Sequence, residues 1–116
     1  MTEMAAGLAR GAGAPASLEI AVTSPGRLAA RGVLTFANAR GARNDGLQAL
    51  RAASAHDLEM DCAGITHSDS AGLAVLLDWL AAVKREGRPL RFTHLPQGLL
   101  ALARISGVEE MLQKGV

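Results

Sequence analysis

Apolar and polar positions along the chain follow two different periods, and the change between them marks out the elements. Leu18-Glu19-Ile20-Ala21-Val22 alternates with period two, which predicts a strand with Leu18, Ile20 and Val22 on one face. Ser24-Pro25-Gly26 is turn chemistry, proline fixing φ and glycine free to take positive φ. A second strand over 27–34 then completes an N-terminal hairpin. Residues 38–44 are largely small or polar, and a short helix over 45–53 follows, with a thin apolar stripe of Leu47 and Leu50. Alternation returns in 57–62, placing Leu58, Met60 and Cys62 inward, and 63–68 reads as a loop. The strongest helical period starts near Ser70 and runs to about Glu86, where Gly87 supplies a stop and Pro89 forbids continuation. A fourth strand over 90–94, a helix over 97–104 opened by Pro96, and a short helix over 108–112 complete the order. Residues 1–17, rich in Ala and Gly without sustained periodicity, read as a flexible tail ahead of a domain over 18–113.

At about 100° per residue, Leu73, Leu76, Leu77, Leu80 and Val83 fall on one side of the central helix, its core face. The opposite side carries Ser70, Ala71, Ala74, Asp78, Ala81, Ala82 and Arg85, with Val75 and Trp79 at the margin. A solvated helix face normally holds long charged side chains, whereas small residues dominate here. The face therefore reads as a docking surface for a partner protein, with an alanine-rich helix as the plainer alternative. Composition does not decide between them.

The length of 116 residues favours one domain, burying roughly 65% of its unfolded surface. Apolar residues make up 49% and aromatics 3%, so Leu, Val, Ile and Ala must fill the core. A formal charge of +1, without basic residues interleaved with aromatics, argues against nucleic-acid binding. Cys62 stands alone, so no intrachain disulfide can form, which fits a reducing compartment, and a zinc site of the usual cysteine-rich kind is excluded. The opening residues do not make a signal peptide, and no window reaches the ~18 apolar residues of a spanning helix. The expected location is cytoplasmic, without direct membrane insertion.

The first turn of the central helix carries the sharpest chemistry. Either Asp69 or Ser70 occupies the N-cap, where a side-chain oxygen accepts otherwise unpaired backbone N–H groups. Gly72 removes a β-carbon beside that terminus, which would let another molecule approach. A phosphoryl group on Ser70 would meet the positive end of the helix dipole while being opposed by Asp69. Phosphorylation there would act as a switch of partner affinity, and the plainer reading is a cap alone. His67, three residues before Ser70, is expected to line the docking surface. Gly-x-Ser-x-Gly is absent, so hydrolase chemistry is disfavoured, and His56 and His94 read as loop or strand-edge residues. Asp61 is placed to hydrogen-bond the segment that follows it. No phosphate-binding Gly-x-x-x-x-Gly-Lys-Ser/Thr motif occurs, so nucleotide hydrolysis would have to come from a partner.

An ordered set of segments adds to these readings: Gly32-Val33-Leu34-Thr35, Asp61-Cys62-Ala63-Gly64-Ile65, and Ser68-Asp69-Ser70-Ala71-Gly72-Leu73-Ala74-Val75-Leu76-Leu77. Gly87-Arg88-Pro89-Leu90, Leu95-Pro96 with Leu99 and Leu102, and Ile105-Ser106-Gly107-Val108 follow in turn. With these, the chain resembles a STAS domain over about 18–113. The resemblance implies an α/β fold of STAS type, a mixed four- to five-stranded sheet flanked by helices, with no cofactor, no metal and no catalysis of its own. Two branches of the family fit. In one, the small STAS subunit of a phospholipid-trafficking ABC transporter, which serves outer-membrane lipid asymmetry, binds the cytoplasmic ATPase, and the position of Ser70 lies at the contact. In the other, an anti-sigma-factor antagonist is phosphorylated at the position of Ser70 by an anti-sigma factor acting as a serine kinase. Ala71, in place of the second hydroxyl residue common in antagonists, favours the first, as does the Gly-Leu-Ala-Val-Leu-Leu-Asp-Trp continuation. The expected partner-binding set is thus His67, Asp69, Ser70, Ala71, Gly72, Ala74, Val75, Asp78 and Trp79, with the chain held at the inner membrane through its partner.

Overall fold

A computed structural model describes residues 17–115, so all but the last residue of the expected tail lies outside the described residues. The N-terminal hairpin forms as its pattern predicts, with β1 (Leu18–Ser24) antiparallel to β2 (Arg27–Leu34) and Pro25-Gly26 at the bend. Gly26 takes φ +77°, and a β-carbon there would sit 2.6 Å from the Asp57 carbonyl, so the position requires glycine. Leu18 and Ile20 pack against the core, whereas Val22 is 64% exposed. Val22 shares a shallow depression with Ala49, Ala52, Ala53 and Ser54 at the end of the first helix, whose short side chains leave it uncovered. The Val33 N–H donates to the Ser17 carbonyl at 2.8 Å, tying the start of the domain to β2.

The next two elements differ from expectation. Helix α1 spans Ala39–Ala52, starting six residues before the expected 45. Its buried face is Ala42, Gly46, Leu47 and Leu50, and half of that stripe is too small to register as apolar periodicity. Strand β3 spans Leu58–Ser68, so the loop expected over 63–68 is strand. Its pairing with β2 runs Ala29 beside Asp61, then Arg31 beside Gly64, then Val33 beside His67, which inserts one extra β3 residue at each of two irregularities. The first carries Cys62 and Ile65 inward three residues apart, the broken alternation that makes the segment look like a loop. The Asp61 carboxylate accepts the Ala63 N–H at 2.9 Å across the first of them, as its position predicts.

Helix α2 (Ser70–Arg85) ends in a Schellman arrangement, with Gly87 N–H donating to Lys84 O and Arg88 N–H to Val83 O. Strand β4 (Leu90–Thr93) pairs in parallel with β3, placing Leu58 beside Leu90 and Met60 beside Phe92. Helices α3 (Gln97–Ser106) and α4 (Glu109–Lys114) close the chain. The sheet is four-stranded in the order β1-β2-β3-β4. Helix α1 lies over β1 and β2, α2 over β3 and β4, and α4 over β4, with α3 packed on α2 and α4. Leu28, Ala30, Leu34, Leu58, Met60, Leu90 and Phe92 meet this helix layer from the sheet. The other sheet face is polar, carrying the Arg31–Glu19 pair and Glu59 between Arg27 and Arg91. Arg88 reaches from the α2–β4 connection to the end of α1, donating to Leu50 O at 3.1 Å, Ala53 O at 2.8 Å and Ala55 O, so one guanidinium ties the last turn of the helix to the segment that leaves it. Among the described residues, no helix is long and apolar enough to cross a membrane.

Candidate functional site

Strands β2 and β3 end side by side, Leu34 paired with Ser68, and the two segments that follow them meet. From β3 a single residue, Asp69, leads into α2. From β2 the chain enters the turn of residues 35–38 and then α1. The open question of the cap resolves to Asp69: its Oδ1 accepts the Ala71 N–H at 2.9 Å and the Gly72 N–H at 3.1 Å. Its Oδ2 accepts the Phe36 N–H at 3.0 Å, so one carboxylate fastens the β2–α1 turn to the first turn of α2. These donors, Phe36 foremost, hold the Asp69 carboxyl below the ordinary aspartate range. Ser70, freed from capping, is exposed at the first helical position.

From Ser70 an exposed stripe runs down α2 through Ala74, Asp78, Ala81 and Arg85. Asp78 is paired with Arg43 of α1 at 3.1 Å. Between the two helices lies a shallow groove of about 360 Å³, lined by Ala39, Arg40, Arg43, Ala71, Ala74, Val75 and Asp78. The structure thus brings Asp69, Ser70, Ala71, Ala74 and Asp78 together at one surface.

Four residues of the expected docking face are placed differently. Trp79 is fully buried, its indole lying against Gly46 of α1 and its Nε1–H donating to Arg43 O at 3.0 Å. Val75 is 3% exposed and forms the floor of the groove, and Ala82 is likewise covered at 3%. The small face of α2 is therefore shared: α1 covers one side, and only the stripe from Ser70 remains for another molecule. Gly72 is buried too, and the space left by its missing β-carbon is taken by the Leu34 carbonyl of β2 rather than by a visitor. His67 is exposed near the end of β3, its Nδ1 3.2 Å from Thr66 Oγ1. His94 leaves β4 at φ 54° with its Nδ1 3.1 Å from Asp61 Oδ1, and His56 pairs with Asp57. Among the described residues, no group of three or more His, Cys, Asp or Glu side chains is placed to hold a metal ion.

Ala39, Arg40 and Arg43 line this groove and Phe36 adjoins it through the hydrogen bond of its amide to Asp69, and none of the four is singled out by pattern. Phe36 had a usable signal: it is a large aromatic in a run of small and polar residues, and it stands 85% exposed.

Comparison with known proteins bears on the family and the fold. A family model described as Mlab, STAS domain matches residues 19–113. Among solved structures, the anti-sigma factor antagonist SpoIIAA in its unphosphorylated form superimposes with a TM-score of 0.64 at 12% identity. That match covers 80% of this chain and 83% of the other, and it speaks for the fold. No curated protein sequence matches. With a capped helix opening directly from the third strand of a four-stranded mixed sheet, and a family match over nearly all of the described residues, the chain belongs to the STAS domain family.

Proposed function

We propose that the chain is a non-catalytic binding subunit that docks on the cytoplasmic ATPase of a phospholipid-trafficking ABC transporter, one serving outer-membrane lipid asymmetry, and supports its assembly or activity. The observation that carries this reading is the exposed stripe of Ser70, Ala74 and Asp78 beside the groove of α1 and α2. Small side chains there allow a partner helix to approach closely, and the Mlab description of the matching family points the same way. The chain would sit at the inner membrane through its partner, without a cofactor.

The test is co-purification and titration with the ATPase subunit. Ser70→Asp and Ala74→Arg alter exposed positions, so both should fold normally and weaken binding by tenfold or more, on the order of 1.4 kcal/mol. Unchanged binding by both variants would remove this surface from the interface.

The exposed Ser70 hydroxyl supports a second reading, an anti-sigma-factor antagonist phosphorylated on Ser70. Intact-mass measurement after incubation with the cognate kinase and ATP tests it, and absence of an added phosphate counts against it.

A further inference from the structure

Phe36 is one of two phenylalanines in the chain, and the other, Phe92, is 2% exposed. Single exposed apolar side chains are ordinary on protein surfaces, so the exposure of Phe36 carries little by itself. Its turn carries more. All four backbone amides of residues 35–38 are held within the protein. Thr35 N–H donates to Asn38 Oδ1 at 2.9 Å, Phe36 N–H to Asp69 Oδ2 at 3.0 Å, Ala37 N–H to Thr35 Oγ1 at 3.2 Å and Asn38 N–H to Thr35 O at 3.1 Å. Asn38 Nδ2 adds a bond to Val33 O at 2.7 Å. An ordinary surface turn leaves such donors to water and is free to move. This one is fixed at every amide and holds its aromatic ring outward. With the backbone already ordered, only the rotamers of the ring remain to be fixed on binding, and a low ordering cost of this kind favours aromatic residues at interfaces.

The turn is continuous with the groove beside it, because the Asp69 carboxylate that accepts from Phe36 also accepts from Ala71 in the groove wall. The charges there are unequal. Arg43 is neutralised by Asp78, whereas Arg40 makes no ion pair among the described residues. A membrane surface fits less well than a protein, because the other large apolar side chains exposed among the described residues, Val22, Ile105 and Met111, lie on β1, α3 and α4. A second copy fits less well too, since a two-fold contact centred on the groove would face the unpaired Arg40 with its own equivalent.

We infer that Phe36 is the anchor of the docking surface and enters an apolar pocket on the partner protein, whose rim presents a carboxylate to Arg40. This rests on the docking reading above and names the chemistry the partner must supply. Asp69 serves as the positioning residue, holding the anchor at a fixed place relative to the Ser70 stripe.

The test titrates the full chain against the purified transporter ATPase. Phe36→Ser should weaken binding by ~30-fold or more, the level of an interface hot spot, and Arg40→Glu by about tenfold, with Arg40→Lys close to wild type. Both side chains are exposed, so the melting temperatures should match that of the parent. Wild-type affinity in Phe36→Ser, together with loss in Ala74→Arg, overturns the anchor and leaves the docking reading standing. Wild-type affinity in Arg40→Glu overturns the acidic rim. Failure of the parent chain to bind the ATPase overturns both the reading and the anchor. Self-association seen by sedimentation velocity, or binding to phosphatidylglycerol vesicles, that disappears in Phe36→Ser would assign the residue to a second copy or to a membrane, and overturns the proposal.

Discussion

Asp69 is the residue on which the site turns, because a single carboxylate serves two backbone segments far apart in sequence. Its folded-state pKa lies below the ordinary 3.8, first through the Phe36 N–H and then through the Gly72 and Ala71 amides. The sign follows from linkage: the stabilisation from the ionised group is complete above the ordinary value and is lost as pH falls through the lowered one. Thermal unfolding followed from neutral pH down to about 2 should therefore show the parent and Asp69→Asn apart at neutral pH and converging in acid. Parallel curves across that range would remove the charge from the account. At this scale the sequence left Asp69 and Ser70 as rival caps, since both side chains suit the position. What separates them is Phe36, thirty-three residues away, whose amide only the folded chain brings within reach.

Among the elements, the α1–α2 contact shows what hydrophobic periodicity does not see. A β-carbon on Gly46 would be driven into the Trp79 indole, whereas one on Gly41, on the exposed side of the same helix, would meet nothing within 4 Å. Gly46→Ala should thus destabilise the protein by roughly 1–3 kcal/mol through overpacking, while Gly41→Ala should stabilise it by roughly 0.5–1 kcal/mol through helix propensity. Denaturant titration of the pair checks this, and a shift of the same sign in both would disprove the packing account. The hairpin, α2 and β4 were legible because their apolar residues are large and regularly spaced. The start of α1 was not, because Ala42 and Gly46 face the core without looking apolar. The second half of β3 was not, because two extra residues disturb its alternation. The same blindness enlarged the docking face: Trp79 at its margin looks like a contact until α1 is known to lie over it.

For the whole molecule, Cys62 is a built-in reporter. It is fully buried under the helix layer, and that burial, with the Asp61 charge adding to it, pushes its thiol up to about 12. In the native protein the thiolate is scarce and the sulfur unreachable. Alkylation by iodoacetamide near pH 8 should therefore proceed only through opening of the fold. Its rate should rise with urea along the slope of global unfolding. Rapid labelling in native buffer would show a local opening of β3 instead. All of this follows from a fold that covers one side of its sheet and leaves the other to ion pairs.

That uncovered side has a practical consequence. A cysteine in place of Arg31, whose side chain is 75% exposed on the polar sheet face, would be the one readily reacting thiol in the folded chain. Coupled to a bead or sensor chip through that position, the molecule would be immobilised by its back, with Phe36 and Ser70 presented to whatever flows past.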